Sequence, residues 1–222
     1  IRLLVGVGHV CGPLHGLGGK LVAGKFVPLV AGDLAAALYG ILSRPFPIGG
    51  VNASDALGVA VPPNVGILTP MRRGHMTVLL NAGTAAAGAA VYMRNGNPSG
   101  AKVIGGFEAI GEAVGALVGG ATGNGTISTP VVGPTAVPGL YRITMLTATT
   151  FRVEDPNGVR LKDGATGTPY TAEGLTFTIT VGGTPMVAGD AFTVSQNTFV
   201  VPNATFMGPA DAAGNVEIAY NI

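Results

Sequence analysis

Leu175-Thr-Phe-Thr-Ile-Thr-Val181 alternates apolar Leu175, Phe177, Ile179 and Val181 with Thr176, Thr178 and Thr180. Successive strand side chains point to opposite faces, so the pattern predicts a half-buried β-strand with the apolar residues on a core face and the stiff, β-branched threonines on the other. Full burial would contribute about 1.5 to 3 kcal/mol per large apolar side chain. The same alternation recurs in Tyr141, Ile143 and Met145, in Phe151 and Val153, and in Phe192 and Val194. Turn chemistry separates these runs: Asp155-Pro156-Asn157-Gly158, Val181-Gly-Gly-Thr184 and Ala188-Gly189-Asp190. Proline presets φ for a turn and glycine accepts positive φ cheaply. Residues 139–196 therefore read as a small antiparallel β-meander.

Composition extends that reading to the whole chain. Its 222 residues include 37 glycines and 16 prolines, and only 10% are charged, against typical values of about 7% glycine and about 25% charged. Such a chain forms short strands joined by tight turns rather than helices. With 47% hydrophobic residues it can bury a core, and its length suits one large domain or two small ones. The low charge predicts that another protein covers part of the surface, because large exposed apolar patches mark interfaces or membrane contact. No uninterrupted apolar run reaches the length of a membrane span. The 12 basic and 11 acidic residues nearly cancel, so the basic footprint of a nucleic-acid binder is missing. One cysteine excludes an internal disulfide framework and fits assembly in a reducing cytoplasm. The start, Ile1-Arg-Leu-Leu-Val-Gly-Val-Gly8, is too short and glycine-broken for a secretory signal, and its lack of Met implies numbering that begins inside a longer product.

The chemistry-bearing motifs are incomplete. His9, Cys11 and His15 could offer three soft ligands, but structural zinc takes four and no fourth stands nearby. Gly18-Gly19-Lys20 lacks the first glycine and the Ser or Thr of a phosphate loop, where Leu14 and Leu21 stand. His75 has neither an elbow nucleophile nor a carboxylate pair beside it in sequence, and reads as a surface or interface histidine. Arg72 and Arg73 read as a solvated turn or an intersubunit salt-bridge donor. No catalytic residue, metal site or cofactor is expected.

Organisation follows from the punctuation. The Ala-rich run Leu34 to Leu42 is read as strand, since Gly40 weakens a helix and Arg44-Pro45-Phe46-Pro47 forces an extended exit. Gly119-Gly-Ala-Thr-Gly-Asn-Gly125 reads as a flexible linker. Strand-like text resumes in Phe199-Val-Val-Pro-Asn-Ala-Thr-Phe206 and Val216-Glu-Ile-Ala-Tyr220. The expectation is a discontinuous barrel, 1–119 with 197–222, carrying 120–196 as an inserted module. Val-Ala-Gly-Asp occurs at 30–33 and at 187–190, and is read as shared turn chemistry rather than duplication.

Two stretches resemble known proteins. Gly139-Leu-Tyr-Arg-Ile-Thr144, Phe151-Arg-Val-Glu-Asp-Pro-Asn-Gly158, Gly164-Ala-Thr-Gly-Thr-Pro-Tyr170 and Val187-Ala-Gly-Asp-Ala-Phe192 together resemble a β-module of tailed-bacteriophage head proteins, above all capsid decoration proteins. Residues 26–109 resemble the barrel domain of phage structural cement proteins. The phrases that carry this are Leu38-Tyr-Gly-Ile-Leu42 before Arg44-Pro45-Phe46-Pro47, then Met71-Arg72-Arg73-Gly74-His75-Met76, Gly88-Ala-Ala-Val-Tyr-Met-Arg94 and Gly105-Gly106-Phe107-Glu108-Ala109.

The resemblance implies a mainly-β fold, a small cement-protein-like barrel with an inserted β-meander, and a non-enzymatic virion protein on the outer capsid surface, made in the host cytoplasm. Its partner would be the major capsid protein, with self-association as a trimer ahead of a dimer and no nucleic-acid or membrane partner. Tyr39, Arg44, Phe46, Arg72, Arg73 and Arg94 are the expected interface residues. A carbohydrate-binding or adhesive β-module is the alternative. Sugar sites generally use aromatic platforms, and the absence of Trp with 5 Tyr and 8 Phe weighs against it.

Overall fold

The computed structural model describes residues 16–43 and 69–222. The fold is mainly β, and the one helical element among the described residues is the 3-10 turn Ala35–Ala37. The chain divides into two compact units, one ending at Ala109 and resuming with Val200–Ile222, the other Ile110–Phe199.

The first unit holds a four-stranded sheet in the order Lys25–Pro28, Gly18–Val22, Gly40–Leu42, Pro70–Met71. It also holds a closed barrel in the order Thr198–Phe206, Asn215–Tyr220, Gly74–Ala82, Phe107–Glu108, Ala90–Arg94. Period-two patterning sets the barrel register. Val216, Ile218 and Tyr220 are buried while Asn215 and Glu217 are exposed, and Val216 stands opposite buried Val78. A one-residue slip would turn that whole set outward. Phe107, Phe206, Val91 and Met93 are buried with them. Only Gly40–Leu42 of the expected Leu34–Leu42 strand pairs, because Ala35–Ala37 closes a 3-10 turn in which the Leu38 N–H bonds the Ala35 carbonyl. Gly40 is a close-approach glycine: a Cβ there would lie 2.7 Å from the Met71 carbonyl oxygen.

The second unit carries a five-stranded antiparallel sheet in the order Gly164–Ala165, Thr150–Glu154, Leu140–Met145, Ala191–Gln196, Ala113–Leu117. Val131–Val132, Leu175–Phe177 and Tyr170–Ala172 form a three-stranded sheet, and Ile179–Thr180 pairs with Thr126–Ile127. Tyr141, Ile143, Met145, Phe151, Val153, Phe192 and Val194 point into one core, as their alternation requires. Phe151, Tyr170 and Phe177 meet there with ring centroids 4.9 to 5.8 Å apart, within the range of favourable aromatic pairs.

The Leu175–Val181 run differs from its expectation in two ways. Leu175, Phe177 and Ile179 are buried, but Val181 is 48% exposed, so its core face ends one residue pair early. The run also changes partners at Thr178, whose N–H donates to the Ser128 hydroxyl (2.9 Å) while its carbonyl accepts from the Ser128 N–H (2.8 Å). The strand order likewise departs from a simple up-and-down meander, since Leu140–Met145 lies between Thr150–Glu154 and the much later Ala191–Gln196.

The glycine-rich segment 119–125 is anchored rather than free. Thr122 and Gly123 donate their backbone N–H groups to the Asp190 carboxylate at 2.8 and 3.0 Å, and a Cβ on Gly123 would strike Met186 at 2.5 Å. The division between units falls earlier than that segment, because Ala113–Leu117 is paired along its length with Ala191–Gln196.

Candidate functional site

The expected interface residues fall into three groups. Arg44 and Phe46 lie outside the described residues, as do His9, Cys11 and His15. Tyr39 and Arg72 come together: the Arg72 guanidinium lies 4.6 Å from the centroid of the Tyr39 ring, a cation–π contact of about 0.5 to 1 kcal/mol at an exposed site. The Tyr39 N–H donates to the Gly19 carbonyl (2.8 Å), and Asn221 Nδ2 donates to the Arg72 carbonyl (2.8 Å). These bonds hold both backbones, so the ring and the guanidinium form one patch. Arg73 is exposed beside it.

Arg94 corrects its expectation. Its side chain and that of Glu108 are both 0% exposed. Arg94 Nη2 donates to Glu108 Oε2 at 2.9 Å, Nε bonds the other carboxylate oxygen, and Nη1 reaches the carbonyls of Gly96 and Asn97 at 3.1 and 3.2 Å. Bidentate pairing satisfies a charge that burial would otherwise penalise heavily. Arg94 is therefore a core residue and offers no surface to a partner. The signal was in the text: Val-Tyr-Met-Arg94 and Gly-Phe-Glu108 each place one charge in an apolar strand, with opposite signs.

Sequence reasoning missed four exposed apolar side chains of the first unit. Leu21, Val22, Val30 and Leu34 are 38%, 50%, 55% and 46% exposed. The first two crown the Gly18–Val22/Lys25–Pro28 hairpin, whose turn puts Ala23 and Gly24 at positive φ. Val30 and Leu34 bracket the Val30–Asp33 turn, which is fixed by the Asp33 carboxylate accepting from the Val30 N–H (2.7 Å) and from Lys20 Nζ (2.8 Å). Packing against the described residues leaves these large apolar side chains exposed.

His75 Nδ1 lies 3.2 Å from Glu217 Oε1, with both side chains about half exposed. They are diagonal neighbours across paired strands, since His75 stands opposite Ala219. Among the described residues no group of three His, Cys, Asp or Glu side chains is placed to hold a metal, and no helix is long and apolar enough to cross a membrane. The Asp190 carboxyl is held below its ordinary range by backbone N–H groups, that of Val187 first, a structural rather than a chemical role.

A family described as XM1 gp53 minor capsid protein matches residues 11–145. The chain belongs to that family. A virion structural role follows from membership. The matched stretch contains Tyr39, Arg72, Arg73 and the exposed Leu21, Val22, Val30 and Leu34. No curated protein matches the chain. Among solved structures, Xanthomonas campestris FlgL in space group H3 is 16% identical with a TM-score of 0.33, over 52% of this chain and 34% of that one. The C2 form is 17% identical with a TM-score of 0.34, over 50% and 32%. The chain thus spans about a third of those structures, at a likeness too low to bear on the fold of the minor capsid family.

Proposed function

We propose that this minor capsid family member is a non-enzymatic cement protein that binds the outer surface of an assembled capsid and ties neighbouring major capsid protein subunits together. Family membership carries the reading. The resemblance of residues 26–109 to structural cement proteins supports its finer part, and so do the exposed apolar side chains of Leu21, Val22, Val30 and Leu34 and the contact between Tyr39 and Arg72. A nearly neutral chain that exposes such side chains gains by covering them, at about 25 cal/mol per Å² of apolar surface removed from water. Each copy that bridges two subunits makes the second contact intramolecular, so modest interfaces act together. Self-association as a trimer, ahead of a dimer, would use the same region, because closed symmetric oligomers are the usual outcome of self-complementary patches.

Co-sedimentation tests this. The purified protein should pellet with expanded empty capsids and remain in solution with unassembled major capsid protein. Equal binding to both would remove the cementing role, and binding to neither would remove the outer-surface role.

A further inference from the structure

Ala113–Leu117 is an outer strand of the five-stranded sheet in the second unit. Its ladder to Ala191–Gln196 has a fixed parity: the Val118 N–H donates to the Ala191 carbonyl and the Asn197 N–H to the Glu112 carbonyl, both at 2.8 Å. Bonded and non-bonded pairs alternate along an antiparallel ladder, so Val114 and Ala116 also turn their backbone groups toward Ala191–Gln196. Gly115 and Leu117 turn theirs outward, and among the described residues nothing bonds them.

An open edge is a template for another strand, and proteins ordinarily blunt it with lysine, proline or shortness. The other outer strands of the described open sheets are blunted in those ways. Lys25–Pro28 carries its lysine and its proline, and the rest are two or three residues long. Ala113–Leu117 has none of these devices. From Ala113 to Gly120 the chain holds no charge and no proline, and Val114, Leu117 and Val118 are 43%, 36% and 40% exposed.

The order of residues along the edge identifies what fits it. Antiparallel pairing of the strand with itself, about a two-fold axis at Ala116, sets Gly115 opposite Leu117 and Val114 opposite Val118. Gly115 and Leu117 are the outward-facing residues, so each exchanges both backbone bonds with its opposite. The side chains match as well. Val114, Ala116 and Val118 share one face, where the exposed valines cover each other. On the other face Leu117 lies opposite a residue with no side chain. A Cβ on Gly115 would lie 2.6 Å from Ile127 Cγ2, so the Leu117 of a second copy comes to lie against the partly buried Ile127. Glu112, the nearest charge in sequence, falls toward Gly120 of the other copy, and no like charges meet.

We propose that the second unit pairs with a second copy of this chain through this edge, joining two five-stranded sheets into one continuous sheet about a two-fold axis. The contact is isologous and uses strand addition. It is separate from the first-unit residues assigned to capsid binding and does not rest on that reading. An interface of this size gives a weak dimer, with a Kd on the order of 0.1 mM, and copies held side by side would pair more fully.

The test is disulfide trapping in the full chain carrying Cys11→Ser, which removes the one native cysteine. The axis puts Ala116 opposite itself in a non-bonded pair, where Cα atoms approach to about 4.5 Å, within disulfide reach. Ala116→Cys should form a covalent dimer under mild oxidation at least about tenfold faster than Val114→Cys, whose copies would lie roughly 13 Å apart along the strands. A second readout needs no cysteine. Amide exchange at Gly115 and Leu117 should slow about fivefold between about 10 µM and about 1 mM protein, as a dimer of that Kd requires. Ala116→Lys, at an exposed position, sets like charges directly opposite each other and should abolish the slowing while the melting temperature at low concentration is unchanged. The proposal is overturned if Ala116→Cys is trapped no faster than Val114→Cys, if Gly115 and Leu117 exchange equally fast at both concentrations, or if the folded lysine variant still shows the slowing.

Discussion

Arg94 and Glu108 are diagonal neighbours on adjacent strands of the barrel, with Glu108 opposite Tyr92 and both charged side chains fully buried, the guanidinium meeting both carboxylate oxygens. A buried pair of this kind contributes little net stability but makes each partner indispensable to the other. Glu108→Ala should therefore destabilise the barrel by about 3 to 5 kcal/mol, whereas the double replacement R94M/E108L should be neutral or stabilising by about 1 to 4 kcal/mol. Denaturant unfolding followed at the amides of Val91 and Phe107 measures both. A double variant as unstable as the single one would show that the charges, and not their pairing, matter.

The end of the core face at Ile179 predicts a sharp contrast along one strand. Phe177→Ala, which empties part of the Phe151, Tyr170 and Phe177 cluster, should cost about 3 to 5 kcal/mol. Val181→Thr, at a half-exposed position, should change stability by less than about 0.5 kcal/mol. Equal costs in thermal unfolding would place Val181 in the core after all.

Asp190 links acid sensitivity to the anchoring of segment 119–125. Its carboxyl is held low by the N–H groups of Val187, Thr122 and Gly123, so the folded state binds its proton less readily than the unfolded one. The stabilisation is present above the ordinary carboxylate value near about 4 and is lost as pH falls through the lowered folded value. Asp190→Asn should lower the melting temperature at neutral pH and flatten its decline in acid. A variant whose acid limb parallels that of the wild type would contradict the assignment.

Tyr170 gives the opposite signature in base. Burial first, then the nearby Asp163 and Glu173 charges, push its phenol up to about 12. The folded state keeps the proton that the unfolded state gives up near about 10, so stability should fall as pH rises from there through about 12. Burial also raises the Tyr92 and Tyr141 phenols, so ultraviolet titration should show several phenols ionising late, and Tyr170→Phe should reduce the late step by one phenol.

Much of the fold was legible because period-two burial is written directly into residues such as Tyr141, Ile143 and Met145. The repeated Val-Ala-Gly-Asp was legible for a related reason, that its chemistry is local. Asp33 accepts from the Val30 N–H as Asp190 does from Val187, and Gly32 and Gly189 both adopt positive φ. What escaped depends on contacts distant in sequence. Ala35–Ala37 has no strong preference between strand and turn, and the loop held by Asp190 looked like linker because its partner lies 67 residues away from Gly123. Arg94 and Glu108 each stand out as one charge in an apolar strand, but their pairing is set by the barrel, which brings together residues 14 apart in sequence. At the candidate surface, Tyr39 and Arg72 were legible individually, while the exposure of Leu21, Val22, Val30 and Leu34 depends on where the hairpin and turn place them.

The apolar surface predicts where cementing contacts are made. Val30→Asp and Leu34→Asp, at exposed positions, should leave the stability of the chain within about 0.5 kcal/mol yet reduce co-sedimentation with capsids by tenfold or more, about 1.4 kcal/mol. Arg72→Ala should have a smaller effect, confined to low salt. Capsid binding that survives both apolar variants and fails with Arg72→Ala would transfer the interface to its charges.

The most direct test of the central claim is the thermal melting of assembled capsids with and without saturating protein, at low salt and at about 1 M, where the screening length falls to about 3 Å. A lattice-specific cement stabilises by mass action, and one that works through apolar burial should raise the capsid melting temperature at both salts. A rise only at low salt would move the mechanism onto Arg44, Arg72 and Arg73, and no rise at either salt would contradict the cement role itself.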